Sequence, residues 1–336
     1  MRGRMGTGAT TLTQMPARVR EYYERVLLKN ARAALIHDTF AQKKSVKLNN
    51  GDKMLFRSVP DLQARTVPVT DVVDPTAEQL SKSDITVQLH KYVGIILIED
   101  MVEFTVEDPI LTVANERAGR QAGLTMDRLC RAVVNAGSNV YYSDGETARA
   151  NVDTAIKDDD FWAAARELEI ANAEKFTKQI NPAGGFNSNP VPASYWMITH
   201  PMVAADIRKL NNFIPVQEYA SPGERHAYEI GAHKSGIRIL STTEAYSIPD
   251  SGGAVGDTGL HSTTGSNIDI YTSLVFAQDA YAAVTLDRHA LQAIIKDKSS
   301  AGSKADLYSS VAWKAICAYK ILDDNRMIRI ESGATA

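Results

Sequence analysis

The chain is poor in the residues from which staples and reactive sites are usually built. It has two cysteines in 336 residues, Cys130 and Cys317. They are too few and too far apart for a disulfide framework or a zinc site, and both are expected to be buried, reduced thiols. No apolar run approaches the ~20 residues that cross a bilayer. The longest, YVGIILI at 92–98, is strand-sized. The opening MRGRMGTGATTL has basic residues but no apolar core, so it does not read as a secretory signal. A net charge of −3 argues against coating DNA through bulk charge. The composition, 44% hydrophobic and 23% charged, is that of a globular chain, expected in a reducing cytoplasm. Its length suits about two domains, or one with insertions.

Recognisable chemistry is equally scarce. There is no G-x-S-x-G elbow, H-E-x-x-H pair, kinase set or glycine-rich loop ending in Lys-Ser/Thr. GGAVGDTG at 252–259 has the glycines of a phosphate loop but lacks its lysine and leads into more loop, not a helix. Asp158, Asp159 and Asp160 point three ways on a helix and suit its dipole better than a hard cation. The seven histidines show no metal-ligand spacing, and neither cysteine has a histidine beside it. No catalytic, cofactor or metal residue is assigned.

What is present is patterned. Residues 1–47 hold ten Arg and Lys against three acids, whereas 61–110 hold ten acids against three bases. Such segments can attract one another within a subunit or between copies, or can be two solvated faces. Arg18, Arg20, Arg25, Lys43 and Lys44 can also touch phosphates without sequence preference. No reading helix accompanies them, and no aromatic platform is interleaved with them.

Periodicity predicts the elements. Residues 1–12 are small and polar and not expected to be ordered. Pro16 can open a helix striped by Val19, Tyr22, Tyr23, Val26, Leu27, Ala33 and Ala34. Asn49–Asp52 reads as a turn, and 60–83, with three prolines, as a long extended excursion. Residues 84–100 read as one strand with Ile85, Val87 and Leu89 on its buried face. Asp108-Pro109 opens a helix expected over 108–136, striped by Ala122, Met126, Leu129, Val133 and Ala136, with Cys130 beside them. Gly119 and Gly123 cost it about 1 kcal/mol each relative to alanine unless another backbone packs close there.

A second helix begins at Asp158–Asp160, buries Phe161, Ala165 and Leu168, and has Lys175 and Lys178 at its end. Then come a strand at 194–200, a short helix from Pro201, a strand at 235–240, an exposed glycine-serine loop at 250–267 and strand character at 268–286. In the closing VAWKAICAYKILDDNRMIRIES, residues 311–332, Val311, Trp313, Ala315, Cys317, Tyr319 and Ile321 alternate as in a strand. Ala312, Ile316 and Tyr319 also suit a helix.

The order of these features resembles the major capsid protein of tailed bacteriophages, built on the Johnson fold shared with herpesvirus floor domains and encapsulins. NGDKMLFRSVPDL and DVVDPTAEQLSKSDITVQLHKYVGIILIEDMVEFT look like that family's extended loop and its returning strand. YWMITHPMVAADIRKL looks like its axial strand, proline and helix, and EIGAHKSGIRILSTTEA like the strand leading back to the periphery. DIYTSLVFAQDAYAAVTL and the closing segment resemble its final strands. The likeness spans about residues 45–332 and rests on order more than on any one piece. It departs at Asp71-Val72-Val73-Asp74, where many relatives have a Glu-Gly pair.

The resemblance implies an α+β fold with an N-terminal arm (1–47) and an extended β-loop (48–100). A peripheral domain (101–140 and 241–336) would carry a spine helix at 108–136, and 141–240 would form an axial domain. It implies no enzyme and no cofactor. The subunit would assemble with copies of itself as pentamers and hexamers into an icosahedral shell around double-stranded DNA. It would be built in the host cytoplasm and reside in the virion capsid, with scaffold, portal and decoration proteins as further partners and no membrane. The closing segment becomes a strand, turned at Asp323–Asn325 and paired with RMIRIE, with Lys314, Lys320 and Arg329 at a subunit boundary. Combined with the charge blocks, the expected assembly interface sets Arg18, Arg20, Arg25, Lys43 and Lys44 against Asp71, Asp74 and Glu78. The alternatives are an encapsulin-like nanocompartment shell, a cytosolic α/β enzyme with an unrecognised site, and a non-specific DNA-binding protein.

Overall fold

The computed structural model describes residues 25–31, 35–59, 62, 64, 66, 77–101, 110–176, 193–219, 226–256, 258–296, 298 and 307–336. In chain order the strands are β1 (Gln42–Val46), β2 (Lys53–Ser58), β3 (Ser83–Gln88), β4 (His90–Glu99) and β5 (Val140–Tyr142). Next come β6 (Tyr195–Thr199), β7 (Phe213–Pro215), β8 (Glu229–His233), β9 (Ile237–Ser241) and β10 (Ser247–Ile248). The last five are β11 (Ile270–Phe276), β12 (Tyr281–Leu286), β13 (Leu291–Lys296), β14 (Tyr308–Ile321) and β15 (Met327–Ser332). The helices are α1 (Ile110–Val134), α2 (Asp158–Ile170) and α3 (Pro201–Ile207), preceded by a helical stretch at 25–31.

α1 is the long helix that the sequence predicts, but its buried stripe is offset. Ala114, Ala118, Ala122, Met126, Cys130 and Val134 are buried, a run of four-residue steps, while Leu129 and Val133 are half-buried and Ala136 lies exposed beyond the helix. Small residues dominate the stripe because a second backbone crosses it. A β-carbon at Gly119 would stand 2.6 Å from the Leu27 carbonyl oxygen, and one at Gly123 would stand 2.3 Å from that of Ala31. The glycines are thus the close approach that their helix cost demands. The chain from 25–31 is fixed again farther along α1. Buried Asp127 accepts hydrogen bonds from the Ile36 and His37 amides, at 2.8 and 2.7 Å, and lies 2.8 Å from His37 Nδ1. Tyr281 donates to the His37 carbonyl.

Among the described residues α1 packs on one face of a five-stranded sheet, in which β14 pairs with β4, β12 and β13, and β1 pairs with β12. Val311, Trp313, Ala315 and Cys317 of β14 form the core beneath α1 with Ile98 of β4. An eight-stranded sheet, ordered β5-β15-β11-β6-β9-β8-β7 with β10 on β11, packs against α2 and α3. α2 buries Phe161, Ala165 and Leu168 as predicted. It ends at Ile170, so Lys175 lies past its last turn, where it bonds Glu169 at 2.6 Å; Lys178 lies outside the described residues. At its start Asp160 accepts from the Lys157 amide at 2.9 Å and the Ser143 hydroxyl at 2.6 Å, so one carboxylate of the run expected to complement the dipole also caps the helix.

The closing segment is all strand, but not a hairpin. β14 and β15 turn about the 3₁₀ residues Asp324–Arg326 and then part, β14 into the five-stranded sheet and β15 onto β11 and β5 of the eight-stranded one. β11 and β12 part in the same way across residues 277–280. The two crossings are stitched together by Ala277 N to the Arg326 carbonyl and Leu322 N to the Ala280 carbonyl, both 2.9 Å. The eight-stranded sheet therefore spans the division expected at 240/241, since β11 and β15 complete the sheet of β6 and β9.

One further correction concerns length. The strand expected over 84–100 is two strands broken at Leu89, whose amide donates to the Asp52 carbonyl at 2.9 Å. β3 stays with β2 in a two-stranded ribbon, whereas β4 joins β14, so only the first part of 84–100 belongs to the ribbon. Residues 250–267 are exposed over much of their described length, as expected, and are also tied back to the chain. Gly252 and Gly253 donate to the Ile268 and Val152 carbonyls, both at 2.9 Å, so these glycine amides are not offered to a phosphate.

Candidate assembly surface

The face of the five-stranded sheet turned away from α1 is built by strict alternation. In register across it run Ile294, Ala312 and Ile95, then Gln292, Lys314 and Val93, then Lys296, Ser310 and Leu97. The β2–β3 ribbon covers one end of this face. Its Phe56 and Val87 pack on Val284, Ala318 and Ala282. The other end is open: Val93, Ile95 and Leu97 are 49%, 63% and 62% exposed. Beyond the ribbon base, Leu55, Val59, Leu62 and Leu80 are exposed as well. Apolar groups left in water at this density mark a surface that something else covers. Lysines stud the open end, with Lys314 in the middle row, Lys296 at one margin and Lys91 opposite Ile316 at another.

The residues expected at an interface scatter. Arg18, Arg20, Asp71 and Asp74 lie outside the described residues. Arg25 and Glu78 are exposed. Lys43 is bound to Asp38 at 2.9 Å, and burial holds the Asp38 carboxyl above its usual range despite that lysine. Lys44 stands 4.7 Å over the Phe56 ring. Both arm lysines are therefore engaged within the chain. Lys314 and Lys320 share the outer face of β14, Lys320 being exposed opposite Ala282. Arg329 is turned inward: it bonds buried Glu331 at 2.8 Å and the Asn135 carbonyl, and Arg149 holds the same carboxylate at 2.6 Å. Its alternation on β15 does not reveal this, because Glu331 and Asn135 become neighbours only when β15 pairs with β5.

Sequence reasoning missed the lysines at 91 and 296, which lie on strands whose partners were unknown. It also missed a Ser–His–Asp relay. His233 lies 2.8 Å from Asp158 and 2.9 Å from Ser235. Its ring is buried, stacked on Phe161 at 4.5 Å, and Ser235 is 7% exposed. The relay ties α2 to the turn after β8 and presents no hydroxyl to a cleft, so it reads as a structural bond and not a nucleophile. Cys130 and Cys317 are buried, and burial pushes the Cys317 thiol up to about 11, away from the reactive thiolate.

No family model matches the chain, and no curated protein sequence is significantly similar to it. Solved structures are similar. The capsid of Ralstonia phage GP4 superposes with a TM-score of 0.68 at 14% identity, over 90% of this chain and 89% of that one. The capsid asymmetric unit of cyanophage Pam1 gives 0.57 at 12% identity, over 100% and 97%. The capsid of Helicobacter pylori bacteriophage KHP30 gives 0.55 at 11% identity, over 87% and 86%. The chain therefore has the α+β fold of tailed-phage capsid subunits, the fold that its sequence resemblance implies.

Proposed function

We propose that the chain is a major capsid protein, a shell-forming subunit that assembles with copies of itself as pentamers and hexamers around double-stranded phage DNA. The fold supports this reading, and so does one observation above the rest. A lysine-studded apolar face stands half covered by the subunit's own ribbon and half open. In a shell the open half is covered by the extended segment of a neighbour, whose residues 59–82 mix exposed Val59, Leu62 and Leu80 with Asp61, Asp71, Asp74 and Glu78. Val93, Ile95 and Leu97 would each contribute roughly 1 kcal/mol on being covered, being half exposed already. The acidic block then finds Lys91, Lys296 and Lys314 on the sheet, in addition to the basic arm, and assembly is salt-dependent. Scaffold, portal and decoration proteins are partners of the same reading, the packaged DNA meets the wall by non-specific contact, and the subunit passes from host cytoplasm to virion capsid. The role is structural and not enzymatic.

Negative-stain microscopy and sedimentation of the expressed chain test it. Closed shells or capsomer rings that disperse on reversing Asp71, Asp74 and Glu78 together are the expected result. A monomer or dimer under every salt condition sinks the reading. A nanocompartment shell of the same fold is told apart by contents, since it copurifies with a protein cargo in place of DNA.

A further inference from the structure

The open side of α1 carries a second unused surface, on the opposite side of the five-stranded sheet from the ribbon. Val113, Arg117, Arg120 and Leu124 recur there at steps of four, three and four, one stripe along the helix. Both arginines are exposed, and neither has a hydrogen-bond or ion-pair partner among the described residues. Farther along α1 the situation differs, because Arg128 and Arg131 are both committed to Glu244, at 2.7 Å and through its carbonyl. That commitment also occupies the Glu244 carboxylate on the cleft wall, whose pKa the Arg128 bond holds low. Beside the two free arginines lies a cleft of about 640 Å³, walled by Asn30, Tyr228 and the hydroxyl-bearing corner Thr242–Thr243. A smaller hollow of about 370 Å³ flanks their other side. Leu124 borders both, and Tyr228 is 41% exposed.

We infer that this groove is a docking site for an acidic peptide segment of a partner protein, its carboxylates on Arg117 and Arg120 and an apolar anchor against Leu124 and Tyr228. The charge is the first reason: two guanidiniums without an acceptor among the described residues are the natural seat of paired carboxylates. Shape is the second. A duplex backbone asks for a broad basic surface, whereas here the cations are two, stand at a concave lip, and have Glu116 next to them on the wall. The inference does not depend on what the ribbon side of the sheet binds.

The test uses the full chain and a fluorescein-labelled decapeptide of alternating glutamate and leucine, read by anisotropy. Its controls are the alternating lysine–leucine peptide and a 20-base-pair DNA duplex. The acidic peptide is expected to bind, and Arg117→Glu with Arg120→Glu to weaken it about tenfold or more. Lys91→Glu with Lys314→Glu, which removes lysines of the sheet face, is expected to leave intact the share of the binding that the arginine reversal abolishes, while disturbing shell formation. Lack of acidic-peptide binding, binding indifferent to the arginine reversal, or a duplex that binds more tightly and is lost on reversal each overturns the inference. Circular dichroism of the reversal variant guards against misfolding, and Arg117→Lys with Arg120→Lys, keeping the charge, should retain most of the binding. Shells that still form in the arginine variant separate failure here from failure of the shell reading.

Discussion

β4 and β11 are both strongly apolar in sequence, HKYVGIILIE against IYTSLVF, yet their fates differ. All seven residues of β11 are buried, while alternate residues of β4 stand in solvent. β11 lies between β6 and β15 with α2 and α3 packed on one face and α1's far end and Phe40 toward the other. β4 pairs with β14 alone among the described residues, under α1 on one face and under nothing on the other. Apolar content in a strand thus records burial in the working state. For β11 that state is the folded subunit; for β4, on the proposed function, it is the subunit with a neighbour.

The comparison can be broken in several places. Phe276→Ala in β11 is expected to destabilise the dispersed subunit by about 3–5 kcal/mol in urea unfolding, since the ring is fully buried. A loss below 1 kcal/mol would mean that the interior is looser than its burial implies. Gly123→Ala should cost about 1–3 kcal/mol through the clash with the Ala31 carbonyl, although alanine is the better helix former by about 1 kcal/mol. A stabilised variant would show that 25–31 does not press on α1.

Acid gives a smaller effect. The hydrogen bond from Arg128 holds the Glu244 carboxyl below its ordinary value of 4.5. With a depressed folded pKa, the contribution is complete above pH 4.5 and is lost as pH falls through the folded value. Arg128 is 57% exposed, so the contribution is at most about 1 kcal/mol. Glu244→Gln should flatten that part of the stability–pH curve, and an unchanged acid slope would discount the pair. The smallest effect on the subunit is the most telling. Ile95→Ser should alter its stability by no more than about 0.5 kcal/mol while raising the concentration needed for assembly. If it unfolds the subunit instead, β4 belongs with β11.

Legibility in the sequence followed the range of the interaction. The helix start at Asp158–Asp160, the helix from Pro201, the turn at Asn49–Asp52 and the demand for a close backbone at Gly119 and Gly123 are short-range matters, and all were readable. The offset stripe of α1 was not, because alanine and glycine carry little hydrophobic signal, and their burial comes from the chain that crosses them. Asp127 gave no hint of its role, since its partners Ile36 and His37 are some 90 residues away. Lys314 and Lys320, named once the resemblance made their segment a strand, do lie on its outer face, while Arg329, on an equally alternating strand, proved internal.

By itself the sequence determined most of the helices and strands, where several of them begin, and the order that resembles a capsid subunit; for 311–332 periodicity left helix and strand open. Only the tertiary structure decided that 84–100 is shared between a ribbon and a sheet, and that β14 and β15 part company after a tight turn. It also decided that one face of β4 is left open. The physical reason is that a two-residue period says a strand has a buried face without saying what buries it. Pairing and cover are set by distant segments, and among the described residues none covers the outer face of β4.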